Sequence, residues 1–121
     1  MASVIVWMDH EHAKIFELHP GKVEAKLVEH KHHLHHTHNL KDTLENFRPF
    51  FTSLFDQLQN FKEVLLIGPG HAKEQFRHFL EAEHAQGLFR KVVGMETVDH
   101  PTDAQILALA RKFFKAHDIF E

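Results

Sequence analysis

Six of the fourteen histidines in this chain lie within residues 30–38, which read HKHHLHHTH. Neutral imidazoles at such short spacing are typical ligands of zinc, copper or nickel. The metal-ligand candidates are His32, His33, His35, His36 and His38. No carboxylate or cysteine accompanies them to fix a coordination geometry, so the favoured interpretation is an exposed loop that binds metal adventitiously, without a resident cofactor. The alternative is a metal- or pH-responsive protein whose loop orders when cations or protons bind.

A second stretch with chemical potential is residues 63–76, EVLLIGPGHAKEQF. Its apolar run predicts a strand covered on both faces, which Gly-Pro-Gly ends just before a helical pattern begins. Such a turn directs main-chain N–H groups and the positive end of a helix dipole toward an anion. The anion- or RNA-binding candidates are Gly68, Gly70, His71 and Lys73. The spacing matches neither a Walker loop nor GxGxxG, so a turn that needs glycine for geometry alone is the favoured alternative.

Carboxylates provide a third set of candidates. Asp9, Glu45 and Glu96 could hold a divalent ion for phosphoester hydrolysis, in the manner of two-metal nucleases. Such an enzyme needs a further carboxylate after the fourth strand, where this chain has Gly-Pro, so Asp9 is interpreted as a turn residue. His100 is an acid–base group without a serine or cysteine nucleophile. No complete catalytic set occurs, and a non-enzymatic function is favoured.

Composition bounds the class of protein. The 121 residues, 43% of them hydrophobic, predict a single domain covering residues 1–121, and twelve phenylalanines predict a phenylalanine-rich core. The absence of cysteine agrees with a reducing compartment, and no stretch suits a signal peptide or a membrane span, so a cytoplasmic protein is expected. The formal net charge is −3, so any contact with nucleic acid must come from a local patch.

Apolar periodicity predicts a layered α/β domain with the order βββαβαβα. The predicted strands cover about residues 4–7, 13–18, 22–29, 64–67 and 91–97. The first three form an antiparallel meander, and the last two, joined by a helix, are parallel. Alternation in the third strand predicts that Val23, Ala25 and Leu27 face the core. Pro49 either lies in the first turn of the first helix, which then begins near Asn46, or kinks that helix.

The order of elements also predicts where a site would form. If the first strand lies beside the fourth, the carboxyl ends of the first, fourth and fifth strands converge, and open α/β sheets bind ligands at such ends. The residues that would share this edge are Asp9, His10, Gly68 to His71, Glu96, Asp99 and His100. Just beyond it, Thr102 and Gln105 fit a capping box that opens the last helix.

Three stretches together resemble a known family: VIVWMDHEHAKIF, VLLIGPGHAKEQF and KVVGMETVDHPTDAQI. They resemble the central domain of the eukaryotic and archaeal class-1 peptide chain release factors and of Pelota, and more closely small bacterial stand-alone translational-machinery proteins. The resemblance covers residues 4–114 and implies a ribonuclease H-like fold with a five-stranded mixed sheet in the order 3-2-1-4-5. In those factors a Gly-Gly-Gln loop after the third strand enters the ribosome. Here HKHHLHHTHNLKD takes its place, so peptide-release activity is not implied.

These observations predict a non-enzymatic, translation-associated binding module whose partner is the ribosome or RNA, with no membrane partner. Imidazoles can hydrogen-bond phosphates, stack on bases and gain charge beside a polyanion. The predicted contact residues are His32, His33, His35 and His36 of the histidine-rich segment, together with Gly68, Gly70, His71 and Lys73 of the turn. The metal- or pH-responsive protein is the alternative, and a divalent-metal phosphoesterase or nuclease is the minority hypothesis.

Overall fold

The computed structural model describes residues 2–29, 44–83 and 87–118. The elements are β1 (Ser3–Met8), β2 (His12–His19), β3 (Lys22–Glu29), α1 (Leu44–Leu58), β4 (Glu63–Gly68), α2 (Ala72–Glu83), α3 (Leu88–Lys91), β5 (Val92–Thr97) and α4 (Asp103–Asp118). The predicted order is confirmed with one addition, because the four-residue α3 is too short to produce an apolar period. No helix in the described ranges is long and apolar enough to cross a membrane.

The five strands form one mixed sheet in the order β3-β2-β1-β4-β5. The pairs β1–β2 and β2–β3 are antiparallel, whereas β1–β4 and β4–β5 are parallel. This is the α/β class that the apolar pattern predicts and the sheet order that the family resemblance implies. It places the N-terminal meander on one side of β1 and the βαβ unit on the other.

The two central strands are buried on both faces, as their continuous apolar runs predict. In β1, Val4 and Val6 face α1 and α2, while Ile5 and Trp7 face α4. Each of these side chains is at most 3% exposed. Helices must therefore cover both sides of the sheet, which gives the domain three layers.

The side of the sheet under α1 and α2 holds a phenylalanine-rich core, as predicted. Phe51 is fully buried, and four other phenylalanine rings lie 5.4 to 6.0 Å from its ring centroid: Phe47, Phe50, Phe76 and Phe79. α1 begins at Leu44, so Pro49 lies in its second turn and the alternative start near Asn46 is wrong.

On the other side, α4 packs across the centre of the sheet. The predicted capping box is confirmed, since Gln105 N donates to Thr102 Oγ1 at 3.1 Å and Thr102 N donates to Gln105 Oε1 at 2.9 Å. This reciprocal pair satisfies main-chain donors at the start of the helix. Gly94 of β5 allows close packing, because a Cβ there would lie 2.9 Å from Phe113 Cζ.

The prediction for β3 is wrong on one point. Val23 and Leu27 are 38% and 58% exposed, and Ala25 is also exposed, whereas the buried residue of the strand is Val28. β3 is the edge strand, and α4, which covers this face of the sheet, packs on the neighbourhood of β1, two strands away. Alternation identified the residues that share a side of β3, but no described helix covers that side.

Candidate functional site

The carboxyl ends of β1, β4 and β5 form one edge of the sheet, because β1 is parallel to β4 and β4 is parallel to β5. We call this edge the carboxyl rim and define it by residues 9–12, 68–71 and 98–102. Val98 N donates a hydrogen bond to Gly68 O at 3.0 Å, and Trp7 Nε1 donates to Asp99 O at 2.9 Å. These bonds tie the loop after β5 to the ends of β4 and β1, so the strand ends converge as expected.

Both described segments that flank the histidine-rich stretch also end at the carboxyl rim. β3 runs in the same direction as β1, and its last residue, Glu29, pairs with His12. On the other side, α1 places the ring of Phe47 at 4.9 Å from the ring of His10. The candidate residues His32, His33, His35, His36 and His38 lie outside the described residues. The chain therefore leaves the sheet and enters α1 at the same edge as the Gly-Pro-Gly turn.

Gly68 has a structural role in that turn. A Cβ at this position would collide with the main-chain carbonyl oxygen of Met8, at the end of β1. Its φ of +156° is also a conformation that residues with a side chain rarely adopt. The close contact of the ends of β4 and β1 thus requires glycine, which is the geometric alternative stated for this position.

Of the other two candidate residues in this turn, Gly70 is exposed and Lys73 is buried. No atom lies within 4 Å of a Cβ built on Gly70, and the residue is exposed. Lys73 is 2% exposed, and its Nζ donates to Gly70 O at 2.7 Å. The ammonium group therefore stabilises the turn from inside the molecule. Gly70 lies on the outer surface, where no other described residue covers it.

The first turn of α2 begins at the rim, although two of its residues, Ala72 and Lys73, are buried. The first helical bond runs from Gln75 N to His71 O at 2.9 Å, so the N–H groups of residues 72–74 have no acceptor within the helix. Glu74 Oε1 lies 3.0 Å from His71 Nδ1, and this hydrogen bond lowers the pKa of Glu74. The carboxylate already supplies negative charge to the helix start. This negative charge opposes the binding of an anion at the turn.

Sequence reasoning missed an aromatic group at the centre of the rim. Trp7 is 3% exposed, and the rings of His12 and His100 lie 5.3 and 5.2 Å from its ring. On the same turn, His10 Nε2 lies 2.6 Å from Gln75 Oε1 of α2. The run WMDHEH was an available signal for part of this group, but only the sheet order brings His100 to it. The described rim is therefore rich in imidazoles.

Asp9 acts as a turn residue, in agreement with the sequence interpretation. Its Oδ1 accepts hydrogen bonds from Glu11 N at 2.8 Å and His12 N at 2.9 Å, which fixes the connection between β1 and β2. Glu96 is exposed on β5, and the side chain of Glu45 lies outside the described part of the structure. Over the described side chains, neither Asp9 nor Glu96 belongs to a group of three that could share a cation.

Three possible metal ligands do meet at the β2–β3 hairpin, away from the rim. The donor atoms of Glu17, His19 and Glu24 all lie within 4.8 Å of one another. However, Glu17 is paired with Lys26 at 3.2 Å, and Glu24 is paired with Lys22 at 3.0 Å. The hydrogen bond and charge of Lys22 lower the pKa of Glu24. Lysines thus supply the positive charge that a cation would bring, and we assign this group a structural role.

Comparisons with known proteins find solved structures that share this fold. No protein-family description and no curated protein matches the sequence. The solved structure of Pelota from Thermoplasma acidophilum aligns with a TM-score of 0.62 at 19% identity, covering 93% of this chain and 32% of Pelota. The archaeal translation termination factor aRF1 aligns with a TM-score of 0.62 at 16% identity, covering 98% of this chain and 40% of aRF1.

A third similar structure is Dom34 of S. cerevisiae, a translation termination-like factor involved in RNA quality control pathways and interacting with Hbs1. It aligns with a TM-score of 0.50 at 12% identity, covering 78% of this chain and 28% of Dom34. The chain thus spans less than half the length of each of these three proteins, and the likeness at these identities concerns the fold. The resemblance to the central domain of class-1 release factors and Pelota, expected from the sequence, is confirmed as a likeness of fold.

Proposed function

We propose that this protein is a non-enzymatic module that binds the ribosome, with the carboxyl rim and the adjoining residues 30–43 as its docking surface. The proposal is carried by one coincidence: the Gly-Pro-Gly turn and both flanks of the histidine-rich stretch lie at the same edge of a Pelota-type fold. The choice of partner is supported by fold analogy, since aRF1 is a translation termination factor and Dom34 takes part in RNA quality control. The location of the surface is supported by the geometry of the rim.

The rim has the chemistry for contact with RNA. The rings of His10, His12 and His100 offer donors and flat surfaces for unpaired bases, and Gly70 and His71 are exposed at the same rim. The net charge of −3 excludes attraction by the protein as a whole. Binding should therefore depend on imidazoles that gain charge near the polyanion, and it should weaken with added salt and strengthen in mild acid.

The experiment is co-sedimentation of the purified protein with ribosomes at low salt, using two aspartate variants. Gly70→Asp places a carboxylate on the rim, and Gly87→Asp places one before α3, at the amino end of β5 and so at the opposite edge. Neither substitution meets an atom within 4 Å at Cβ, so both should fold. Gly70→Asp should weaken binding about fivefold, because like charges at an exposed surface repel by about 1 kcal/mol. Gly87→Asp should bind as the unmodified protein does.

Failure of the unmodified protein to sediment with ribosomes, or an equal effect of the two variants, would overturn the proposal. A combined His32→Ala, His33→Ala, His35→Ala and His36→Ala variant extends the test to the histidine-rich stretch and should lose the part of binding that depends on mild acid. The metal-responsive alternative predicts a different result: a fixed zinc stoichiometry that disappears in the combined variant, without ribosome binding in either protein.

A further inference from the structure

The edge strand β3 is long, regular and unpaired on its outer side within the described residues. Its eight residues pair with β2 without a register break, from His12–Glu29 to His19–Lys22, and contain no proline. No main-chain hydrogen bond between described residues reaches the outer edge. Natural edge strands are usually short, bulged or interrupted, because a regular free edge is a template for another strand. β3 has none of these protections.

Lysine is another common protection of edge strands, and β3 carries two. Both are neutralised within the hairpin, since Lys22 lies 3.0 Å from Glu24 and Lys26 lies 3.2 Å from Glu17. Each lysine is therefore neutralised by a glutamate, and the two lysines do not repel an approaching strand. A strand that pairs with this edge needs charges of opposite sign facing Glu24 and Lys26.

The turn fixes which main-chain groups face outward. Hydrogen-bonded and open pairs alternate along an antiparallel ladder, and the pair that closes a two-residue turn, here His19–Lys22, is hydrogen-bonded. The N–H and C=O groups of Val23, Ala25 and Leu27 consequently point away from β2. The side chains of these three residues are exposed and apolar. Within the part of the chain that the structure describes, the outward main-chain groups without a partner and the uncovered apolar side of β3 thus belong to the same residues.

We propose that two copies of this chain pair antiparallel through β3, about a two-fold axis at Ala25. An axis perpendicular to the sheet keeps each side chain on its own face, so facing residues must come from the same side of β3. With Ala25 of one copy opposite Ala25 of the other, Val23 of each copy faces Leu27 of the other copy. On the other face of the sheet, Glu24 of each copy faces Lys26 of the other copy. The contact comprises about six main-chain hydrogen bonds, two charge pairs and two apolar pairs.

The side chains select this register from its neighbours. A shift by two residues in one direction places Glu24 opposite Glu24 of the second copy. A shift in the other direction places Lys26 opposite Lys26 of the second copy. Like charges directly opposite across strands are destabilising, whereas opposite charges and apolar pairs are stabilising. Charge complementarity therefore favours a second copy of the same chain as the partner of this edge, with Ala25 on the axis in preference to either neighbouring register. The two carboxyl rims point in opposite directions in such a dimer, which leaves both accessible.

The proposal is tested by sedimentation of charge variants at the axis. The Ala25→Lys and Ala25→Glu proteins should each dimerise about fivefold more weakly than the unmodified protein, because each places like charges opposite one another. An equimolar mixture of the two should regain the lost affinity as a heterodimer. A mixture of Val23→Lys and Val23→Glu is the matched control, and it should regain nothing, because Val23 faces Leu27 and not itself.

Cysteine cross-linking reads the register directly, since the chain has no native cysteine. Facing Cα atoms of a hydrogen-bonded pair lie about 5.5 Å apart, within the range of a disulfide. Ala25→Cys should form a disulfide-linked dimer on oxidation, and Val23→Cys should not. A monomeric unmodified protein overturns the proposal, as does a dimer that ignores substitutions at position 25 or cross-links equally from position 23. Ribosome binding at the carboxyl rim is independent of each of these outcomes.

Discussion

Replacing Gly68 by alanine tests the structural interpretation of the Gly-Pro-Gly turn. The added Cβ meets the main-chain carbonyl of Met8, which cannot swing aside as a flexible side chain could. Overpacking of this kind costs about 1–3 kcal/mol, and a strained backbone conformation costs about 1–3 kcal/mol more, so we expect a loss of about 2–6 kcal/mol. A domain with a free energy of unfolding of about 5–15 kcal/mol would lose a large part of its stability.

Urea unfolding followed by the fluorescence of Trp7, the only tryptophan, measures this loss. With a slope of about 2 kcal/mol per molar urea, a loss of 3 kcal/mol would lower the midpoint by about 1.5 M. Gly70→Ala is the matched control, because nothing lies within 4 Å of its Cβ, and its free energy of unfolding should change by no more than about 0.5 kcal/mol. Equal effects of the two substitutions would refute the division of the turn into a structural and an exposed glycine.

Two further predictions concern the core and the start of α2. Phe51→Ala should lower the free energy of unfolding by about 3–5 kcal/mol in urea unfolding, because the ring is fully buried among other phenylalanines; the exposed Thr52→Ala should change it by no more than about 0.5 kcal/mol, and a similar loss in both would contradict the packing. His71→Ala should raise the pKa of Glu74 toward its ordinary value in an NMR titration, since the hydrogen bond from His71 lowers it. The stabilisation from this pair is present above the ordinary pKa of glutamate and is lost as the pH falls through the lowered value, so an unchanged Glu74 titration would argue against the hydrogen bond.

Features set by local sequence were predictable. The unbroken apolar runs of β1 and β4 require cover on both faces, and this alone places them at the centre of a three-layer domain. The capping box of Thr102 and Gln105 is a contact between residues three positions apart, so its spacing predicts it. The glycine-bounded turn was likewise located from its sequence. The assignment of its glycines to different roles needed the position of Met8.

Features that depend on distant parts of the chain were not predictable. The pattern of β3 shows that Val23 and Leu27 share a side, but whether a helix covers that side depends on where α4 packs. The position of His100 at the same edge as His10 was predicted, but the contact of its ring with Trp7 was not. The burial of Lys73 was unexpected because a charged residue is usually exposed. Here the carbonyl oxygen of Gly70 accepts its hydrogen bond inside the turn.

The most direct test of the proposed docking surface is cross-linking to ribosomes from single cysteines that carry a photo-reactive group. Gly70→Cys places the probe on the carboxyl rim, Gly87→Cys places it at the opposite edge, and no native cysteine competes. We predict RNA or ribosomal-protein adducts from position 70 and none from position 87. Equal adducts from both positions, or adducts from position 87 alone, would contradict the assignment of the rim as the surface that meets the ribosome.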